Sequence, residues 1–179
     1  ENVESLITEK TRVIIINSPG NPVGNVIGKD QLKDFTVLAE KYDLIILSDE
    51  AYDKVIFGEE HVPTAQVAAD QSRVVTVGSG SKTYAMTGFR IGYAAGDSDI
   101  IKEIVKFQSL SSICPPYIGQ KAYASAMSGP QEDTVYMKDE YKKRRDYFTT
   151  ELNKIPGFKC FVPDGAFYVF VDISAHNED

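Results

Sequence analysis

Between Val77 and Tyr93 the chain carries Gly78-Ser79-Gly80-Ser81-Lys82-Thr83, and then, eight positions beyond the lysine, Arg90 between Gly88 and Gly92. A lysine amine can condense with an aldehyde, and serine hydroxyls with a guanidinium can hold a phosphate through charge-assisted hydrogen bonds. The set suits a phosphorylated, aldehyde-bearing ligand. Two generic phosphate motifs fail on the residues themselves. A P-loop needs glycine directly before the lysine so that the backbone can wrap the phosphates, and Ser81 stands there. A dinucleotide fingerprint needs a third glycine where this chain has Thr83.

What remains, Ser79-x-Ser81-Lys82 followed by Gly88-x-Arg90-x-Gly92-Tyr93, resembles the cofactor-lysine segment of class I/II aminotransferases, pyridoxal 5'-phosphate enzymes of fold type I. Two more blocks stand in the same order as in that family. Asn17-Ser18-Pro19-Gly20-Asn21-Pro22-Val23-Gly24 is similar to its Asn-Pro-x-Gly turn, and Ser48-Asp49-Glu50-Ala51-Tyr52 to its Asp-x-x-Tyr segment.

The resemblance implies a role for each matching residue. Lys82 would form a Schiff base with the pyridoxal aldehyde and, once displaced by substrate, act as general acid and base at the substrate α-carbon. Asp49 would pair with the pyridinium nitrogen and keep it protonated, so that the ring works as an electron sink. Tyr52 and Asn21 would donate to the 3'-oxygen of the ring. Arg90, Ser79 and Ser81 would hold the 5'-phosphate. On the residues alone, Asp49 also reads as a helix N-cap and Asn21 as a turn former. Gly80 replaces the bulky apolar residue expected between the two serines, which frees the local backbone. Gly165-Ala166-Phe167-Tyr168 resembles the family's entry into its small domain, and Phe167 and Tyr168 read as core aromatics without a role.

The resemblance implies an amino-acid aminotransferase acting on a small-molecule amino acid and a 2-oxo acid, as a homodimer. A fold-type-I carbon-sulfur lyase is the alternative, since the same lysine and aspartate serve any α-carbanion. An aminotransferase-like sensor domain of a transcription regulator, or an inactive fragment, are further ones. Family members are much longer. The resemblance therefore implies phosphate-binding and ring-stacking residues upstream and a substrate-carboxylate arginine downstream.

The elements that must position these residues are legible in the hydropathy. Arg12 to Ile16, Leu44 to Leu47 and Val74 to Val77 are short apolar runs that read as buried parallel strands, each ending at one of the three motifs. Leu32, Phe35, Leu38, Ala39 and Tyr42 recur at helical spacing between the first two runs. The expected fold class is therefore α/β, a mostly parallel sheet with crossover helices, whose ligand sits beyond the carboxyl ends of the strands. Ile91 to Ala95 follows too closely for a crossover and is expected antiparallel to the third strand.

Further helices are expected over Asp97 to Leu110, with Ile100, Ile101, Ile104, Val105 and Leu110 on one apolar face, over Tyr117 to Met127, and over Asp133 to Lys154, with Tyr141, Phe148 and Leu152 toward a small core. Phe158 to Val162 and Ala166 to Asp172 read as a hairpin around Pro163-Asp164-Gly165. Ser128-Gly129-Pro130 divides 1–128, part of the cofactor-binding large domain, from 129–179, a linker helix and the start of a small α+β domain.

A net charge of -7 argues against a non-specific nucleic-acid surface. Lys142-Lys143-Arg144-Arg145 reads as a solvated helix face. Cys114 and Cys160 read as packing residues and His61 and His176 as surface groups, with no metal-ligand spacing. No run reaches the roughly 18 apolar residues of a membrane span and no leader pattern opens the chain, so a cytoplasmic location and no membrane partner are expected.

Overall fold

The computed structural model describes residues 2–58 and 60–176. Four strands, β1 (Val13–Asn17), β2 (Ile45–Asp49), β3 (Val74–Ser79) and β4 (Gly92–Ala95), form one sheet in the order β1-β2-β3-β4. The first three are parallel and β4 returns antiparallel to β3, as the short connection requires. The register aligns Asn17 with Asp49 and Asp49 with Val77, so the three sequence blocks end at one rim of the sheet.

β1 and β2 are rich in β-branched isoleucine, which fits a pleated surface. β1 stops where Ser18-Pro19 begins, since proline has no N–H for the ladder. α1 (Lys29–Lys41) follows, its start marked by the Gln31 side chain accepting the Gly28 N–H at 3.4 Å. It lays Leu32, Thr36 and Ala39 against the sheet. These pack with Ile14, Ile16, Leu44, Ile46 and Val74 into the main core, where Ile46 is fully buried.

The expected burial of β1 is corrected. β1 is not buried on both faces: Ile14 and Ile16 point into the core, while Ile15 is 70% exposed on the other side, where no described element covers it. The run is apolar throughout, but only α1 and the short α2 (Thr64–Val67) lie against the sheet here, both on the core side. α2 itself is four residues long and has no legible period. In α4 (Ser98–Ser111), whose Asp97 cap accepts the Asp99 N–H at 2.9 Å, the apolar face is likewise open, with Ile104, Val105 and Leu110 exposed.

α5 (Tyr117–Ser128) and the long α6 (Glu132–Leu152) follow as expected. In α6, however, Tyr141 is half-buried against Phe167 whereas Phe148 is exposed. The expected hairpin contracts to two residues per strand, β5 (Lys159–Cys160) and β6 (Val171–Asp172). Pro163-Asp164-Gly165 is no hairpin turn. Its segment crosses to the loops after β1 and β2, where Gly165 N–H donates to Gly24 O, Ala166 N–H to Val55 O, and Phe57 N–H to Asp164 O, each at 2.8 Å. Tertiary hydrogen bonds outcompete the local pairing that the alternating pattern suggests.

The approach is close enough to require glycine on both sides. A Cβ on Gly24, whose φ is +75°, would come within 2.4 Å of Pro163 Cβ, and one on Gly165 within 2.8 Å of Pro19 Cβ.

Candidate active site

Asp49 ends β2 at the sheet rim, and Lys82 lies one short turn beyond β3, in α3 (Gly80–Thr83). α3 is fixed at both ends. Ser79 caps it by accepting the Ser81 N–H at 3.3 Å, and Thr83 Oγ1 donates to Asp53 Oδ1 at 2.8 Å, tying it to the loop after β2. Gly80 is buried, and a Cβ there would come within 3.0 to 3.1 Å of Tyr123 and Ile91. Its reason is thus close approach by neighbouring side chains, not the backbone freedom expected from the sequence.

The Lys82 amine lies 5.8 Å from the Tyr52 ring centroid and 5.4 Å from that of Phe167. It belongs to none of the ion pairs among the described residues. Tyr52 is 4% exposed, and burial first, with the Asp49 charge in the same direction, pushes its phenol far above the ordinary tyrosine range. The Asn21 side chain, on the turn after β1, is near enough to oppose that shift.

The turn is set by Asn17. Its Oδ1 accepts the Asn21 N–H at 2.7 Å, and its Nδ2 donates to Asp49 O at 3.4 Å. Asp49 Oδ1 accepts the Ala51 N–H at 3.2 Å, so one carboxylate oxygen does cap the following turn. Lys82, Tyr52, Asp49 and Asn21 are therefore gathered at one place.

Ser79, Ser81 and Arg90, the residues expected to hold a phosphate, are brought together along the backbone. Ser79 pairs with Gly92 at the start of β4, and Gly80 N–H donates to Ile91 O at 3.1 Å, so the β3-β4 ladder brings the backbone at Arg90 up to the segment that carries the serines. Ser81 is buried and Ser79 half-buried. Ser79 uses its oxygen as acceptor for the cap, which leaves its O–H to donate elsewhere. Arg90 is exposed in the left-handed region at φ 48°, with Nη1 donating to Thr87 O at 3.0 Å and no carboxylate partner among the described residues.

Four features escaped the sequence reading. Asn17 stands in the sequence only as the first residue of the turn motif, with no sign that its side chain sets the turn. Phe167 and Tyr168 reach Tyr52 across more than one hundred residues, and only the Gly165-Ala166-Phe167-Tyr168 block hinted at it. Arg145 is not solvated: it donates to Pro163 O at 2.9 Å and lies 4.6 Å from the Phe57 ring centroid. Cys114, by contrast, is exposed and packs nothing.

The fourth is a buried polar cluster behind the rim. His61 is no surface group, because its Nε2 donates to Glu50 Oε2 at 2.7 Å, and Ser48 Oγ and Thr64 N donate to Glu50 Oε1 at 2.9 and 3.1 Å. Burial of Glu50 works to raise its pKa, but these donors outweigh it and hold the carboxyl below its ordinary range. A folded-state value below the unfolded one gives stability that is present above the ordinary carboxylate range and is lost as pH falls through the folded value. Glu50→Gln is expected to lower unfolding free energy at neutral pH by about 1–3 kcal/mol, since one donor loses its acceptor. That deficit should shrink as the pH drops below the carboxylate range. Urea unfolding of both proteins across acid pH checks this, and a deficit independent of pH would remove the carboxylate from the explanation.

With this geometry in hand, the comparisons with known proteins are specific. The family model described as aminotransferase class I and II matches residues 1–179. An aspartate aminotransferase of Bacillus sp. (strain YM-2) is 38% identical over 176 residues, covering 97% of this chain and 45% of that protein. A probable aspartate aminotransferase of Methanocaldococcus jannaschii is 40% identical, covering 99% and 48%. Among solved structures, a Thermus thermophilus aspartate aminotransferase double mutant superimposes with a TM-score of 0.92 at 35% identity, over 98% of this chain and 46% of that one. An aromatic aminotransferase from Pyrococcus horikoshii OT3 does so with 0.89 at 38% identity, over 96% and 47%. The chain spans less than half the length of each of these relatives.

Proposed function

The chain belongs to the aminotransferase class I and II family, and from that premise we propose that it carries the cofactor lysine of a pyridoxal-phosphate-dependent amino-acid aminotransferase. The reaction moves an amino group from an amino acid to a 2-oxo acid. One observation carries this reading: Lys82, an amine without a counter-ion among the described residues, converges with the carboxylate of Asp49 and two candidate donors, Tyr52 and Asn21, at the rim where three strands end.

The donor set suits the cofactor. An aldehyde needs an amine that no carboxylate holds, which Lys82 supplies. A pyridinium needs an anion in a sheltered place, which the half-buried Asp49 supplies. A phosphate needs O–H and guanidinium donors not spent on carboxylates, which Ser79, Ser81 and Arg90 supply. When bound, the cofactor supplies the electron sink for negative charge at the substrate α-carbon.

The residues do the rest. Lys82 would hold the aldehyde of the cofactor, and its amine, when free, would carry the proton to and from the substrate α-carbon as general acid and base. Asp49 would hold the proton on the ring nitrogen, and Tyr52 and Asn21 would donate to the 3'-oxygen.

The relatives do not share one amino donor. An aspartate enzyme from Bacillus and an aromatic enzyme from Pyrococcus are both 38% identical to this chain, so likeness supports the reaction and leaves the side chain open. Residues 1–128 would form part of the large domain, and 129–179 a linker helix and the start of the small one. A homodimer and a cytoplasmic setting accompany this reading. No described helix is long and apolar enough to cross a membrane.

The test is a comparison of products. With the cofactor and a panel of amino acids, amino transfer to a 2-oxo acid should be seen, with release of thiol from sulfur amino acids lower by at least an order of magnitude. Thiol release as the main reaction would favour the carbon-sulfur lyase.

A further inference from the structure

We propose that Tyr168 is a positioning residue for the cofactor chemistry, its hydroxyl donating to Tyr52 so that the Tyr52 proton is aimed into the site. This rests on the reading that Tyr52 donates to the 3'-oxygen of the cofactor ring.

Two phenol oxygens 2.5 Å apart share one hydrogen, and each can donate only once. If Tyr168 accepts from Tyr52, the Tyr52 proton is spent inside the protein and no donor remains for the site. If Tyr168 donates, Tyr52 keeps its proton for an outside acceptor, and its oxygen, already accepting, makes that proton a stronger donor. Tyr168 has no other side-chain acceptor for its O–H among the described residues. Tyr52 has an alternative, the acceptor that a bound ring oxygen would bring. Donation from Tyr168 satisfies both groups.

The surroundings fix the pair. Tyr168 arrives on the segment pinned to Gly24 and Val55 by the backbone hydrogen bonds of Gly165 and Ala166. The rings of Phe167 and Tyr168 meet the Tyr52 ring edge-on, with centroids 5.3 and 5.6 Å away, and Tyr141 of α6 backs Phe167 at 5.2 Å. The charged and titratable groups facing Tyr52 are Asp49 from β2, Lys82 from α3 and Tyr168 itself. The same segment also sets Phe167 beside the Lys82 amine. It thus joins the lysine and the tyrosine to a part of the chain that follows α6.

The test reads a proton equilibrium. In protein loaded with pyridoxal phosphate, the visible absorbance is titrated against pH for the wild type, Tyr168→Phe, Tyr52→Phe and the double variant. A weaker donor to the ring oxygen raises the proton affinity of the lysine-cofactor linkage. Tyr168→Phe should therefore move the midpoint upward by about half a pH unit, roughly threefold in proton affinity, and Tyr52→Phe should move it further. In the Tyr52→Phe background, loss of the Tyr168 hydroxyl should have no further effect.

Tyr168→His keeps an N–H donor and should recover at least half of the shift, which also serves if Tyr168→Phe does not fold. An unmoved midpoint in Tyr168→Phe, an equal shift in the Tyr52→Phe background, or no recovery with histidine would overturn the role of Tyr168 and leave the proposed function standing. A wild-type protein with no titrating cofactor band would overturn the proposed function, and this inference with it.

Discussion

Lys82→Ala is expected to abolish covalent attachment of pyridoxal phosphate and to reduce amino transfer by at least about 10⁴-fold, the upper range for a positioned general acid or base, because the same amine is also the covalent anchor. Treatment of the cofactor-loaded wild type with borohydride should fix the added mass onto the peptide containing Lys82. The alanine variant should show no fixed mass on any lysine. Its fold should survive, because the Lys82 side chain makes ring contacts but no hydrogen bond or ion pair among the described residues, and α3 is anchored through Ser79 and Thr83. Intact thermal melting therefore separates loss of the amine from loss of the structure. Equal cofactor fixation in the variant would defeat the assignment of Lys82.

How much of this was legible in the sequence depends on the range over which each feature is encoded. The parallel order of β1, β2 and β3, the antiparallel β4 and the helix α1 follow from local runs, spacing and connection length, and all are found. Their common rim follows as well, because each apolar run ends at a polar block and parallel strands place those ends together.

What the sequence hid is what depends on distant partners. Tyr168 meets Tyr52 only because residues 163 to 166 leave their local hairpin and bond to Gly24, Val55 and Phe57, an exchange that no periodicity reveals. His61 reads as isolated until the loop carrying it folds back on Glu50. Arg145 reads as one of four solvated cations until Phe57 lies beneath it. In β1 the difference runs the other way, Ile15 being open, because an apolar side chain shows that a face can be covered but does not show what lies against it.

Asp49→Ala should separate the cofactor's attachment from its reactivity. The wild-type carboxylate is half-buried at the end of β2, with one oxygen on the Ala51 N–H and its charge felt at Tyr52. Paired with a ring nitrogen, it makes the protonated ring the favoured form. Removing one member of a buried ion pair costs about 3–5 kcal/mol. If that energy is felt fully in the transition state, it corresponds to a loss of roughly 10²–10⁴ in turnover. Attachment depends on Lys82, not on the ring nitrogen, so borohydride should still fix the cofactor to Lys82 in this variant. Asp49→Glu, which keeps the charge on a longer stem, should recover part of the rate, whereas Asp49→Asn should recover little because it restores the shape without the charge. A purely capping role predicts the reverse order, since asparagine caps a turn as well as aspartate does. Unchanged turnover in Asp49→Ala, or full activity in Asp49→Asn, would place the carboxylate in the turn and outside the chemistry.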